Sequence, residues 1–361
     1  MPKAAQFFPN SESLILDTGI DIDVFQCPGC GLVQLSNEPV PYYREVIRSA
    51  AVSPLLLDSK EVQLYDFLDK YSLHGKKVIE IGCGRGEFLS LLPFFDVDAY
   101  GLEYSDASVA FCLENGLRVE KGFPDRDNVT LASGPFDAFL LLMFLEHIPE
   151  PNIFLQAIYN NVTEEAVGLI EVPNFDMILE KGLFSEFVVD HLFYFSKDTL
   201  QRTLQFNGFD VVDCNELRDG YVISMIVKKR DRLDISLFHD HRMALVSDIA
   251  EYINRFGEKR VAIWGAGHQA LSFISLSGIE GKIRYVVDSA LFKQGKYTPA
   301  THLPVVPPKT LHSDPVSAII VMAASYSDEI VRLLLEDFPA YLNIAVLRDF
   351  GLEIISSPDN K

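Results

Sequence analysis

The 361-residue sequence predicts an α/β fold in which a doubly wound parallel sheet is followed along the chain by a second, similar unit. Apolar runs of strand length alternate with helical periodicity from about residue 75 to residue 230. An apolar strand also enters a glycine-rich turn twice, within KVIEIGCGRGEFL (77–89) and within RVAIWGAGHQA (260–270). The strands predicted for the first unit are 77–82, 97–102, 136–142, 166–172, 209–215 and 221–228.

The amino-acid composition indicates which partners and which cellular compartment to expect for the protein. With 51 acidic and 31 basic residues, the net charge is −20, which argues against a nucleic-acid or anionic-membrane partner because like charges repel. No apolar stretch approaches the ~20 residues of a membrane span, and the N-terminal MPKAAQFFPNSES lacks the hydrophobic core of a secretory signal. Five cysteines in a chain of this length favour free thiols. We therefore expect a soluble, cytoplasmic protein with a small-molecule substrate.

The N-terminal region, residues 1–60, contains CPGC (27–30), a spacing that can place two thiolates on one zinc ion. A tetrahedral site needs four ligands, but no other cysteine precedes Cys83 and no histidine precedes His74. Either the turn persists without a metal or further ligands come from elsewhere in the fold. We predict no bound metal.

The next segment, residues 42–72, has the periodicity of two helices with a break near Ser53 and Pro54. Such a segment can fold over a ligand held at the glycine turn that follows it. Tyr42 and Tyr43 are candidates to reach a substrate, and Tyr43 enters the expected catalytic set. The alternative is simple packing, which is the commoner role of paired aromatic residues ahead of a helix.

The first glycine turn places Gly82, Gly84 and Gly86 between a strand and the expected start of a helix, with Glu80 before them and Glu87 after. Glycines there let the backbone turn sharply and approach a ligand closely. The carboxylates would repel a pyrophosphate and attract a cation. S-adenosylmethionine (SAM) meets this requirement, because it carries an ammonium and a sulfonium and no phosphate.

Two later segments support a nucleoside ligand at this edge of the sheet. In DAYGLEY (98–104), Glu103 ends an apolar run 17 positions after Gly86, where an α/β fold places a carboxylate that accepts both ribose hydroxyls. PFDAFLLLMFLEHIPEP then gives a buried strand followed by Glu146 and His147. The candidate cofactor-binding residues are Glu80, Gly82, Gly84, Gly86, Glu103, Tyr104, Phe123 and Glu146.

In this order and spacing, EIGCGRGEF, GLEYS and FDAFLLLMFLEHIPEP resemble the first, second and fourth motifs of class I SAM-dependent methyltransferases. The resemblance implies a Rossmann-like methyltransferase domain over residues 61–230, with SAM as its cofactor. A doubly wound domain that binds a nicotinamide cofactor, or no ligand, is the alternative.

An insertion at residues 175–200 follows the strand GLIEVPN and carries Asp190, His191 and Tyr194. In a loop or bend, His191 could face a substrate as a base, since a histidine pKa near ~6.5 suits proton abstraction at neutral pH. The alternative is a packing segment that starts a helix at Ser196.

Residues 231–244 are charged and interrupt the strand and helix pattern, so they are predicted to link two domains. The histidines and the aspartate of HDH (239–241) are interpreted as solvated, because no third or fourth metal ligand is nearby.

The C-terminal domain, predicted over 245–361, should begin with a helix at 243–257 and then repeat the strand and turn pattern at Gly265 and Gly267. Asp288 ends its next strand. Taken alone, this unit would suggest a nicotinamide cofactor with Asp288 on its ribose.

The CPGCGLVQL turn, the central methyltransferase motifs and a C-terminal unit with KQGKYTP (293–299) together resemble the sugar C-methyltransferases that act on nucleotide-linked keto-deoxysugars. The resemblance implies a C-terminal domain that helps to hold a nucleotide sugar. It also implies a base within VVDHLFYFS, where Asp190 stands for the family's glutamate, His191 for its base and Tyr194 for its downstream tyrosine. Val188 replaces the family's first tyrosine, and the first cysteine pair of its zinc site is missing.

The activity expected from this resemblance is C-methylation of a ketosugar through a base-assisted enolate, with Asp190 assisting or orienting His191. Tyr194, Tyr43 or His147 is expected near the enolate oxygen. One alternative is a SAM-dependent O- or N-methyltransferase acting on a sugar or another small molecule of polysaccharide or natural-product biosynthesis. Another is a nucleotide-binding or scaffolding protein in which the GAGHQA turn is the functional element.

Overall fold

The computed structural model describes residues 1–3, 8–45, 52–338 and 342–356. The chain divides into two compact units, Met1–Arg232 and Leu233–Lys361. The finer boundaries at residues 60, 230 and 244 stay predictions, although the first helix of the second unit already begins at Ser236, inside the predicted linker.

The strands of the first unit are β1 (Val24–Gln26), β2 (Val33–Leu35), β3 (Lys77–Ile81), β4 (Asp98–Glu103), β5 (Val119–Lys121), β6 (Phe136–Leu142), β7 (Val162–Pro173), β8 (Phe193–Tyr194), β9 (Phe209–Leu217) and β10 (Val222–Lys229). Its helices are α1 (Pro54–Lys70), α2 (Asp106–Glu114), α3 (Pro151–Asn160), α4 (Phe175–Glu180) and α5 (Lys197–Phe206). Short 3-10 helices cover Leu14–Leu16, Leu89–Phe95, Leu145–His147 and Phe184–Glu186.

Seven of these strands form the central sheet in the order β5-β4-β3-β6-β7-β10-β9. The strands from β5 to β7 are parallel, whereas β10 runs antiparallel to both of its neighbours. The predicted α/β fold is therefore confirmed, with one difference: the sheet is mixed. The reason is the short turn at 218–221 between β9 and β10, because so few residues can join only antiparallel strands.

Both faces of the central sheet are buried, which explains the nearly continuous apolar sequence of its parallel strands. In β6, Phe139 packs into the apolar layer on one face and Leu140 into the layer on the other. The polar residues that matter for function therefore lie at strand ends, where the sheet meets the loops.

The N-terminal hairpin is attached to the predicted catalytic segment. Strands β1 and β2 are joined by the CPGC turn, which is closed by hydrogen bonds from Cys27 N to Leu32 O (2.9 Å) and from Gly31 N to Cys27 O (2.9 Å). Strand β2 then pairs antiparallel with β8, with Val33 opposite Tyr194. The cysteine turn thus belongs to a three-stranded sheet, β1-β2-β8, that supports the residues next to His191.

Helix α1 starts where the sequence places a helix break. The Ser53 hydroxyl accepts a hydrogen bond from Leu56 N, and Pro54 is the first helical residue, which is a favourable helix N-terminus. Residues 41–45 form a turn, and residues 46–51 of the earlier predicted helix lie outside the described residues.

The second unit has the strands β11 (Val261–Trp264), β12 (Ile283–Val287), β13 (Val305–Val306), β14 (Ala318–Val321), β15 (Asn343–Arg348) and β16 (Gly351–Ser356). Its helices are α6 (Ser236–Asn254), α7 (His268–Ser277), α8 (Thr310–Ser313) and α9 (Ser327–Asp337), with 3-10 helices at Glu280–Lys282 and Ala324–Tyr326. The sheet order is β13-β12-β11-β14-β15-β16, parallel except for β16, so the predicted second α/β domain is also confirmed. Across the described ranges, no helix is long and apolar enough to cross a membrane.

Candidate active site

The first glycine turn leaves β3 at Ile81 and turns the backbone sharply at Gly82. Gly82 has φ of 70°, and a Cβ atom there would lie 2.6 Å from the ring of Phe144. Only glycine accepts both the left-handed backbone and the close aromatic ring without strain. The turn is held against the next strand by hydrogen bonds from Gly82 N and Cys83 N to Leu102 O, at 2.8 and 3.2 Å.

Glu103 lies at the end of β4 and fastens this turn. Its Oε2 accepts a hydrogen bond from Gly84 N at 2.9 Å, and its Oε1 accepts one from Ser105 N at 2.8 Å. The residue is 1% exposed, and this burial raises the pKa of the carboxyl above its usual range even though the backbone donors oppose the shift. The predicted ribose acceptor therefore lies beside the glycine turn with its position fixed.

Aromatic side chains line the rest of this cleft. Phe123 is the central ring, with its centroid 6.3 Å from that of Tyr104 and 6.3 Å from that of Phe144. Arg44 enters the same cleft, with its guanidinium carbon 5.4 Å from the Tyr104 centroid and 5.6 Å from the Phe123 centroid. Flat aromatic faces at this position suit the adenine base of a nucleoside.

Glu80 and Gly86 take different places around the turn. Glu80 is the penultimate residue of β3 and is 1% exposed. At Gly86, which has φ of 80°, a Cβ atom would collide with the Leu117 side chain. Gly86 thus allows the glycine turn to pack closely against the Leu117 side chain.

A buried ion pair lies near the turn and was not predicted. Lys60 of α1 is 2% exposed, and its Nζ donates to both carboxylate oxygens of Glu171 on β7, at 2.7 and 2.6 Å. Burial lowers the pKa of Lys60, and the Glu171 charge opposes that shift. The Lys60 ammonium also lies 5.4 Å from the ring centroid of Phe88, just beyond the glycine turn, so the pair fixes α1 beside the cofactor cleft.

Glu146, predicted to bind the cofactor, His147 and the predicted base His191 meet at the same edge of the sheet and form what we call the acid and base cluster. Leu192 N donates to Glu146 O at 2.9 Å, which joins the insertion to the 3-10 helix after β6. The rings of His147 and His191 are in edge-to-face contact, with centroids 4.7 Å apart. Glu146 Oε1 lies 3.9 Å from His147 Nε2. Residues far apart in the chain therefore form one cluster, in which Glu146 and His147 are buried and His191 is partly buried.

Asp190 contributes to this cluster through two different groups. Its backbone carbonyl accepts a hydrogen bond from His147 Nδ1 at 2.6 Å, and its carboxylate accepts one from the Tyr42 hydroxyl at 2.9 Å. The prediction gave Asp190 the role of assisting or orienting His191. In the structure the residue orients His147 and holds Tyr42, and it is 3% exposed.

Tyr43, Tyr194 and His147, which were predicted to lie near the enolate oxygen, have three different environments. His147 lies in ring contact with His191, whereas the Tyr194 hydroxyl hydrogen-bonds to N and O of Val188, at 3.0 and 3.2 Å. The Tyr43 ring packs on Phe123 at 5.8 Å, on the cofactor side. Tyr42 takes the position next to the acid and base cluster for which Tyr43 was proposed.

Burial dominates the electrostatics of the cluster. It raises the pKa of Glu146 to about 8 and that of Tyr194 to about 12. Burial and the neighbouring His147 lower the pKa of His191 to about 3, and burial also lowers the pKa of His147. Both imidazoles are therefore neutral at neutral pH. The lowered pKa makes His191 a weaker base than the ordinary histidine that the sequence predicts.

The residues around the first glycine turn offer the groups that a SAM molecule would need. Glu103 offers a carboxylate for the ribose, Gly82 and Gly84 leave the backbone bare, and Tyr104 and Phe123 offer aromatic faces for adenine. A mainly parallel α/β sheet with this glycine turn, this acid at the end of β4 and a polar cluster at the same edge is the arrangement of a class I SAM-dependent methyltransferase domain.

Comparison with known proteins agrees with this class. Residues 58–213 match the family model of a methyltransferase domain, and residues 238–336 match that of a C-methyltransferase C-terminal domain. C-methyltransferase NovU of Streptomyces niveus is 21% identical over 367 residues, which cover 91% of this chain and 86% of NovU. The chain thus contains a class I SAM-dependent methyltransferase domain that precedes a C-methyltransferase C-terminal domain.

Further similarities cover only part of this chain. The ubiquinone biosynthesis O-methyltransferase of Bordetella avium is 30% identical over 91 residues, which cover 24% of this chain and 38% of that enzyme. The chain thus spans about two-fifths of the length of the O-methyltransferases that it matches. The crystal structure of magnesium protoporphyrin IX methyltransferase from Synechocystis with bound S-adenosylhomocysteine (SAH) aligns at a TM-score of 0.39 and 15% identity, covering 50% of this chain and 90% of that one.

Sequence reasoning did not assign roles to Arg44 and Phe144, and it preferred Tyr43 to Tyr42. Phe144 follows the strand FDAFLLL directly, so its place at the strand end could have marked it as a residue of the cleft. Arg44 and Tyr42 lie in a turn without periodicity, where the sequence carries no signal for side-chain direction.

Proposed function

We propose that the protein transfers the methyl group of SAM to a carbon atom next to a ketone of a nucleotide-linked deoxysugar. One observation carries this proposal: the acid and base cluster is one helical turn away from the cofactor cleft. Phe144 lines the cleft beside Gly82 and Glu103, and His147, three residues later, contacts His191.

Carbon is the expected acceptor atom because the cluster offers a neutral base at a buried site. A carbon next to a ketone becomes a nucleophile only when its proton is removed. In the proposed reaction His191 accepts that proton, the electron pair forms the enolate, and the enolate carbon attacks the methyl group of bound SAM. The sulfonium supplies an electrophilic methyl group and leaves as a neutral thioether.

The enolate oxygen needs a donor, and two groups of this chain are in reach of the cluster. Tyr42 carries a hydroxyl that is already hydrogen-bonded to Asp190 at 2.9 Å. His147 is held by the Asp190 carbonyl and contacts the base. We propose Tyr42 and His147 for this role in place of Tyr43 and Tyr194, whose side chains are engaged elsewhere.

The acceptor class is supported by two further observations. The match of residues 238–336 to a C-methyltransferase C-terminal domain favours carbon over oxygen or nitrogen. The resemblance of VVDHLFYFS and of the C-terminal unit to ketosugar C-methyltransferases supports a nucleotide sugar. A hydroxyl acceptor is the second candidate, because the ubiquinone O-methyltransferase of Bordetella avium is 30% identical over 24% of this chain, whereas NovU is 21% identical over 91% of it.

The test is proton exchange in heavy water with a panel of nucleoside-diphosphate keto-deoxysugars. We expect deuterium to enter the sugar next to the ketone when SAH is bound, and we expect His191→Asn to abolish this exchange. His239→Asn, at an exposed position of α6, is the matched control and should exchange normally. Methyl transfer to an oxygen of the same sugars, without exchange at carbon, would establish the second candidate instead.

A further inference from the structure

The acid and base cluster has the composition of a metal site. One ligand atom from each of Glu146, His147 and His191 lies within 4.8 Å of the other two. A carboxylate with two imidazoles is a donor set that binds divalent first-row transition metals. This set leaves no mark in the sequence, because the insertion brings His191 to the other two residues only in the folded chain.

The orientation of His147 favours metal binding. Its Nδ1 lies 2.6 Å from the Asp190 carbonyl oxygen, and a carbonyl can only accept a hydrogen bond, so Nδ1 carries the proton. Nε2 therefore keeps its lone pair and lies on the side of Glu146, 3.9 Å from Oε1. Histidine ligands of metals are typically held in this way, with the second ring nitrogen donating to a carbonyl or a carboxylate.

The carboxylate of Glu146 supplies an independent observation. The residue is 1% exposed, and within the described residues its Oε2 atom has no hydrogen-bond partner. A buried carboxyl oxygen without a partner is costly, because it has lost its water and gained nothing in return. A cation between Glu146, His147 and His191 would give this carboxyl group a partner, together with the two imidazole lone pairs.

We propose that Glu146, His147 and His191 form a binding site for a divalent transition metal ion such as Zn²⁺ or Co²⁺. Metal–ligand bonds of about 2.0–2.2 Å require the donor atoms to be somewhat closer than they are here, which small side-chain rotations achieve. A bound ion uses the lone pair with which His191 would accept a proton. Metal binding therefore competes with the proposed base, and this consequence alone rests on the proposed function.

The experiment uses the full chain carrying Cys27→Ser and Cys30→Ser, so that the thiolates of the N-terminal turn do not bind the metal. After EDTA treatment, the protein is titrated calorimetrically with Zn²⁺, and with Co²⁺ while visible absorption is recorded. We expect one saturable site and an absorption band from the coordinated Co²⁺. His147→Gln and His191→Asn should each weaken binding at least about tenfold, whereas the control His239→Asn/His241→Asn should bind as the parent does.

Absence of saturable binding, or equal binding in all variants, would overturn the site. SAH titration of every sample reports on the cofactor cleft, so loss of the fold is detected separately. Deuterium exchange is measured on the same samples: Zn²⁺ should suppress it and EDTA should restore it. Zinc bound without loss of exchange would place the ion away from His191 and overturn the three-ligand site, whereas exchange that is absent even from the EDTA-treated protein would count against the proposed base alone.

Discussion

The two glycine turns of this chain use the same hydrogen-bonding pattern. Glu103 accepts hydrogen bonds from Gly84 N and Ser105 N, at 2.9 and 2.8 Å. In the second unit, Asp288 accepts hydrogen bonds from Ala266 N and Ala290 N, both at 2.8 Å. In each case an acid at the end of the second strand fastens the glycine turn to the sheet.

The two carboxylates differ in the side chains that surround them. Lys293 Nζ donates to Asp288 at 2.8 Å, and although burial acts to raise the pKa of Asp288, Lys293 and the backbone donors lower it. Glu103 faces an aromatic cleft instead, and burial raises its pKa. In both units the acid has a structural role, because it holds the glycine turn to the sheet by backbone hydrogen bonds. Whether it also binds a ribose depends on the side chains around it.

The largest effect that would test this comparison is expected at the first glycine turn. Gly82→Ala places a methyl group against Phe144 in a left-handed conformation, so SAH affinity should fall about tenfold or more. Gly267→Ala is the matched control, because its φ is −98° and a Cβ atom there meets nothing within 4 Å. Calorimetric titration with SAH measures both variants, and an equal loss in the two would contradict the assignment of SAM to the first unit.

The next largest effect is expected when the carboxylates of Glu103 and Asp288 are replaced. Glu103→Gln is expected to weaken SAH binding about tenfold, since a hydrogen bond to a charged acceptor is worth ~1.5–3 kcal/mol. Because only the ionised carboxylate accepts from both hydroxyls, and because its pKa is raised, the affinity of the unmodified protein should increase as the pH rises above the usual glutamate pKa of ~4.3.

Asp288→Asn is the counterpart of that substitution in the second unit. At each pH this variant should bind SAH with the same affinity as the unmodified protein. If Asp288→Asn weakened SAH binding as much as Glu103→Gln, the two carboxylates would not have the separate roles inferred here.

The smallest effect is expected at Lys293. Lys293→Met removes the partner of Asp288, and a partly exposed ion pair contributes up to ~1 kcal/mol, so Tm should fall by about 2–4 °C. SAH affinity should not change. Lys296→Met, at an exposed position three residues away, is the control, and differential scanning calorimetry should show no shift for it. A fall in SAH affinity for Lys293→Met alone would link the second unit to cofactor binding.

Local spacing allowed much of this fold to be predicted from sequence. The glycine turn and Glu103 follow from a strand, a run of glycines and an acid at a fixed distance, and all of these are contiguous in the chain. The antiparallel course of β10 was missed, although Asp219 and Gly220 between β9 and β10 are typical of a hairpin turn.

The candidate site was harder to predict, because its geometry depends on backbone groups and on long-range contacts. The Asp190 carbonyl orients His147, and every residue has a carbonyl, so this interaction leaves no mark in the sequence. Tyr42 and Tyr43 are adjacent and chemically identical, and only the turn at 41–45 decides which of them faces Asp190. Arg44 reaches the cofactor cleft from the same turn.

The pairing of β2 with β8 has a consequence for where this enzyme can be shortened. The methyltransferase-domain match begins at residue 58, and a fragment cut there would look complete by that criterion. It would lack β2, which holds β8 by strand pairing, and the hydrogen bond from Leu35 N to Leu192 O, next to His191. The smallest fragment that keeps the proposed catalytic segment in place must therefore retain the hairpin from Val24 to Leu35, whether or not its cysteines ever bind a metal.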